Sequence, residues 1–119
     1  MGFLGRLFGR SAAPQGAGGA QQAVLVHLDG RGLPEHVYRE HDLESLEKRL
    51  RAAIEEGGLG EYDGNETDPS ETTLFLYGPD AGRLFAGVEA TLRAHPLCQN
   101  ARVEIRPGGP GADARVISL

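Results

Sequence analysis

Residues 55–71 hold seven carboxylates and no Lys or Arg, the densest group of candidate cation ligands or proton-transfer groups in the chain. Within it, Asp63-Gly64-Asn65-Glu66-Thr67-Asp68 looks like a calcium loop, which needs oxygen ligands at alternate positions, a glycine at the sixth and a bidentate glutamate at the twelfth. Counted from Asp63, the sixth position is Asp68 and the twelfth is Leu74, so the spacing fails. The simpler reading is a charged edge strand and turn that presents Glu61, Asp63, Glu66 and Asp68 as an acidic surface, since charge on an edge discourages pairing with another chain. No metal and no cofactor is expected.

Four histidines, His27, His36, His41 and His95, could act as bases or ligands. His36 and His41 fall in a polar connection without a cysteine partner. His95 closes a helix, where positive charge suits the dipole. His27 stands apart because it lies within an apolar strand, on the face that Phe75 and Tyr77 share. With Tyr77 or Glu104 it could form an acid–base pair if that face became a pocket. The plainer expectation is a half-buried histidine on a packed face.

Other chemistries lack their parts. There is no P-loop, no Gly-x-Ser-x-Gly elbow and no dinucleotide fingerprint following a strand. The run Gly108-Gly109-Pro110-Gly111 precedes no helix that could hold a phosphate and reads as a hairpin loop. The single Cys98 cannot form an internal disulfide and reads as a reduced thiol near a helix end. The net charge is -5, and Arg6 and Arg10 are the only charged residues in 1–22, so the rest of the chain is two units more negative still. That field repels phosphate backbones, and no nucleic-acid partner is expected.

These residues must be positioned by elements that the pattern marks. Residues 11–22 are nearly all Ala, Gly, Gln, Pro and Ser, a flexible linker, so 1–22 reads as a tail and 23–119 as one domain. Phe3, Leu4, Leu7 and Phe8 could share a helical face beside two arginines and touch an anionic membrane, but three glycines favour a flexible tail. No signal peptide or spanning segment is found, which gives a cytoplasmic expectation. Residues 23–28 form a strand apolar on both faces. Asp42 then caps a helix whose stripe is Leu43, Leu46, Leu50 and Ile54, stopped by Gly57-Gly58, with Glu44–Lys48 and Glu47–Arg51 as surface pairs. Residues 60–66 give a polar strand and 72–77 a second doubly apolar one. Gly78-Pro79-Asp80 opens a helix carrying Leu84, Phe85, Val88 and Leu92. Residues 101–106 alternate as a fourth strand, and 115–119 form a short fifth hairpinned to it.

The order β-α-β-β-α-β with an added β predicts an α+β fold, the ferredoxin-like sandwich, in which the first and third strands are central and both helices cover one sheet face. Val24, Val26, Leu28, Leu74, Leu76, Val103 and Ile105 then form the core. The opposite face presents Leu25, His27, Thr73, Phe75 and Tyr77, bordered by Arg102, Glu104 and Arg106. Gly60-Glu61-Tyr62-Asp63-Gly64-Asn65-Glu66, with Tyr77-Gly78-Pro79-Asp80-Ala81, resembles a family of small uncharacterised bacterial proteins. The resemblance spans most of residues 23–119 and implies a bacterial cytoplasmic protein but no activity.

The leading functional expectation is a non-catalytic binding protein whose open face meets a second copy or another protein, because an apolar patch of Leu25, Phe75 and Tyr77 would otherwise face water. One version is an acidic immunity-type protein that uses its carboxylates against a basic toxin. The competing class is a small enzyme with His27 in a pocket made by dimerisation. Truncation at Gln22 is expected to leave the thermal midpoint by calorimetry nearly unchanged, whereas a fall of many degrees would show that Phe3, Leu7 or Phe8 docks on the domain.

Overall fold

The computed structural model describes residues 21–108 and 113–119. The expectations for the tail at 1–20, its membrane contact and the middle of the loop after Pro107 lie outside these residues. The elements run β1 (Gln22–Asp29), α1 (Glu35–Glu40), α2 (Leu43–Gly57), β2 (Glu61–Thr67), β3 (Glu71–Gly78), α3 (Ala81–Ala94), a short 3-10 turn (Pro96–Cys98), β4 (Arg102–Arg106) and β5 (Arg115–Ser118). The five strands form one sheet in the order β2-β3-β1-β4-β5, with every neighbouring pair antiparallel. The fold is α+β.

The two doubly apolar strands sit inside the sheet because strand parity buries one of their faces completely. Val24, Val26, Leu74, Leu76 and Val103 are all at 0% exposure. They meet Leu46, Leu50 and Ile54 of α2, and Ala81, Leu84, Phe85, Val88 and Leu92 of α3, in one cluster. Period-2 strands and period-3.6 helices thus deliver their apolar residues to the same layer.

Local chemistry sets the ends of the helices. The Asp42 carboxylate accepts from the Ser45 N–H at 3.1 Å, and the left-handed Gly58 (φ 59°) closes α2. Asp80 caps α3 through the Arg83 N–H at 3.1 Å. The next free donor, the Ala81 N–H, bonds the Gln22 side chain at 2.8 Å. The ordered strand therefore starts at Gln22, one residue before the expected boundary, and ties the start of β1 to α3.

Three details depart from the expectations. Residues 35–40 form α1 where a plain connection was expected, since six residues are too few to show a stripe. Its one buried residue, Val37, joins Leu33, Leu97 and Tyr38 in a small second cluster. Tyr38 holds this corner by donating to the Asp29 carbonyl (2.8 Å) and accepting from the Leu33 N–H (3.1 Å). Next, β2 carries a bulge between Tyr62 and Gly64. Finally, Glu47 does not serve as a plain surface partner of Arg51. It accepts from the Tyr62 hydroxyl at 2.6 Å and the Asn65 amide at 2.8 Å, while the Arg51 guanidinium lies 4.9 Å from the centre of the Tyr62 ring. Burial and the Glu47 carboxylate both push the Tyr62 hydroxyl pKa up, so it stays a donor.

The chain enters β2 by a glycine that has no substitute. Gly60 has φ 144°, and a Cβ there would run into the Tyr77 carbonyl oxygen and the Gly78 backbone. Gly58 is also left-handed, but nothing surrounds it within 4 Å. Gly60→Ala is accordingly expected to destabilise by more than about 2 kcal/mol, and Gly58→Ala by about 1–2 kcal/mol, from backbone strain alone. Urea midpoints of the two variants compare them directly.

Candidate functional site

The helices cover one side of the sheet, so alternate residues of each strand, shifted by one after the bulge in β2, lie on the other side. Pairing arranges these residues in rows that run across the sheet from β2 to β5. The first row is Glu61, Tyr77, Ala23 and Arg106. The second is Gly64, Phe75, Leu25, Glu104 and Val116. The third is Glu66, Thr73, His27, Arg102 and Ser118. Every sequence-selected face residue, Leu25, His27, Phe75, Tyr77, Arg102, Glu104 and Arg106, falls in these three rows.

The middle row carries the apolar surface. Leu25 and Phe75 are half-buried and belong to neither hydrophobic cluster. Gly64 is paired with Phe75 and puts no side chain on that flank. Val116 continues the row on β5 at 60% exposure. It went unnoticed in the sequence because the short final strand gives little hint of which residue faces which way.

The third row and its neighbours are polar and densely paired. His27 Nδ1 lies 2.9 Å from Glu71 Oε2 and 3.2 Å from Thr73 Oγ1, and Nε2 lies 3.2 Å from Glu104 Oε1. Arg102 reaches the same Glu71 oxygen at 3.3 Å, and Arg106 grips Glu104 Oε2 at 2.6 Å. Hydrogen bonds from Arg106, with help from His27, hold the Glu104 carboxyl below its ordinary pKa against the opposing effect of burial. Sequence reading did not identify Glu71 as part of this network, although its pairing opposite Asp29 follows once the β1–β3 register is known. His27 and Tyr77 stand two rows apart, so they are not the acid–base pair considered from sequence. Both ring nitrogens of His27 are engaged by the protein itself.

The acidic run does not converge. Glu61 and Glu66 are exposed on the open side of β2, and Asp63 sits at the bulge. Asp68 turns inward on its own loop, accepting from the Ser70 N–H (2.8 Å) and Glu71 N–H (2.9 Å), which lowers its pKa. Among the described residues no three His, Cys, Asp or Glu side chains are placed to hold a metal ion. A cleft of about 410 Å³ lies at one end of the sheet, near Asp29, Tyr38, His41 and Asp68. Its polar groups are largely committed: Asp29 accepts from Arg31 and Gly32 N–H at 2.9 and 2.7 Å, much as Asp68 serves its turn.

His95 and Cys98 belong to the scaffold. Burial pushes the Cys98 thiol up to about 12, leaving it unreactive at neutral pH. His95 is a correction: it is 4% exposed and does not offer a positive charge to the helix end. Its Nδ1 accepts from the Leu97 N–H at 3.2 Å, which places the proton on Nε2, bonded to Ser45 Oγ at 3.0 Å. Ser45 Oγ in turn donates to the Asp42 carbonyl at 3.0 Å. Burial, then Arg49 and His41, lower the pKa of His95, opposed by Asp42.

Among the described residues no helix is long and apolar enough to cross a membrane. No family model, curated protein or solved structure matches the chain.

A histidine kept neutral in the fold makes stability depend on pH. The unfolded chain takes up its proton from about pH 6.5 downward while the folded chain resists, so the contribution of His95 is full above that value and is lost as pH falls towards the lowered folded pKa. His95→Gln is expected to cost about 1–3 kcal/mol at pH 8 through unsatisfied buried partners. That penalty should shrink by pH 5, as read from urea unfolding of both proteins across the range.

Proposed function

We propose that this protein is a non-catalytic interaction protein whose open sheet face is its contact surface. The observation that carries the reading is the middle row. Phe75 and Leu25 face away from the helices and stand outside both cores, and Val116, on the far side of Glu104, exposes a further apolar side chain in the same row. Large apolar groups placed this way on a sheet side that no described helix covers are the raw material of a protein–protein contact, at roughly 25 cal/mol per Å² of apolar area buried. The strand order with its helices on one side supports a ferredoxin-like β-α-β-β-α-β sandwich extended by β5, a frame that leaves one face for such use. Commitment of both His27 nitrogens to Glu71, Thr73 and Glu104 speaks against the enzyme alternative, since a general base needs a free lone pair within reach of substrate. The acidic charge and reduced thiol fit a cytoplasmic setting.

Phe75→Glu tests the reading. It is expected to abolish the association seen as concentration-dependent mass in light scattering while shifting the melting curve little, because the new charge meets water on that face. Unchanged association, or a collapsed fold that reveals Phe75 as core, would overturn it.

A further inference from the structure

Two of the three rows, the first and the third, carry charge of opposite sign at their two ends, while the middle row holds only the Glu104 carboxylate. In the first row Glu61 on β2 stands at one side and Arg106 on β4 at the other, and in the third row Glu66 and Arg102 stand likewise. Between them lie Tyr77 and Ala23 in the first row, Phe75 and Leu25 in the second, and Thr73 and His27 in the third. Among the described residues Glu61 and Glu66 make no ion pair, and the two arginines keep side-chain exposures of 50% and 55% with donors to spare beyond their contacts to Glu104 and Glu71.

We propose, resting on the open-face reading above, that the occupant of this face is a second copy of the chain, packed sheet to sheet about a two-fold axis that runs along the strands between β1 and β3. A rotation of 180° about that axis keeps each row at its own level and exchanges its ends. Glu61 then faces Arg106 of the second copy, Glu66 faces Arg102 of the second copy, and Phe75 lies over the other copy's Leu25. The contact is isologous, so each attraction occurs twice. A two-fold axis across the strands would instead bring β2 over β2 and β4 over β4, glutamate on glutamate and arginine on arginine. The axis along the strands opposes like charge only where Glu71 meets the second copy's Asp29, and there Glu71 is already paired with Arg102. The four strands that overlap about this axis, β2, β3, β1 and β4, lie about 4.8 Å apart and average about seven residues at 3.3 Å, so they present roughly 440 Å² in projection. That is less than the about 800 Å² per partner of a standard interface, so the dimer is a weak one.

The test uses two charge-reversed full-length chains, Glu61→Arg/Glu66→Arg and Arg102→Glu/Arg106→Glu, in sedimentation equilibrium and native mass spectrometry. Each alone is expected to lose self-association about tenfold or more by like-charge opposition, and an equimolar mixture is expected to regain it as a heterodimer. If the second variant unfolds because Glu71 and Glu104 lose their partners, cross-linking replaces it: Glu66→Cys mixed with Arg102→Cys should join through a bismaleimide matched to the ~10 Å between stacked sheets, and neither should join to itself. A wild type that stays monomeric at millimolar concentration overturns the second-copy inference. So does a mixture that fails to recover association, or symmetric Glu66→Cys cross-links. Association indifferent to Phe75→Glu overturns the underlying face reading instead, so the two failures are told apart.

Discussion

The antiparallel pairing of β1 with β3, unbroken from Gln22 opposite Gly78 to Asp29 opposite Glu71, is the constraint on which the rest depends. Because side chains alternate along a strand, a slip of one residue would turn Val24, Val26, Leu74 and Leu76 out to water and put Leu25, His27 and Phe75 under the helices. The loss of apolar burial fixes the register, and the register fixes the rows on the open face. The contact surface is therefore the geometric remainder of core formation, and no separate device is needed to build it.

Much of this was legible in the chain. Residues 23–28 and 72–77 are apolar at both parities, which marks interior strands, and the stripes at 43–54 and 84–92 give helices that must lie on one layer. Those two facts assign the faces of the residues of β1 and β3 without coordinates, though not those of the bulged β2 or the short β5. What was not legible has physical reasons. Helix α1 is a six-residue element whose stability comes from a tertiary corner around Leu33, Val37, Tyr38 and Leu97, a contact that no local period reveals. The role of His95 was misread because its position at a helix end suggests a solvated cation, while its actual environment is set by Leu97 and by Ser45, fifty residues away.

That histidine also shows how the two main helices are joined beyond apolar packing. The chain of bonds from Leu97 N–H to His95, to Ser45 Oγ and on to the Asp42 carbonyl links the C-terminal end of α3 to the first turn of α2. Each donor in it has one acceptor, and the network tolerates only the neutral ring. A fold with so short a polar path between helices gains a fixed angle at that end, and two residues further along the same N-terminal part α2 is held to the sheet through Glu47 and its two donors from β2.

The same strand explains the layout of charge. Without the extra residue at the Asp63 bulge, strict alternation from Glu61 would put Asp63 and Asn65 on the open face and turn Glu66 towards the helices. The bulge resets the parity after Tyr62. Asn65 then points to the helix side, where its amide reaches Glu47, and Glu66 joins Glu61 on the open side. A single inserted residue thus anchors the edge strand to α2 and completes the acidic end of two rows. The glycine that follows it is the residue paired with Phe75, and it leaves the centre of the face bare of side chains on that flank. The strand at 60–66, which overlaps the run 63–68 that first looked like a broken metal loop, has a structural logic in these terms: an edge strand must turn a hydrogen-bonding pair inward, keep its carboxylates outward, and leave room beside an aromatic ring, all within seven positions.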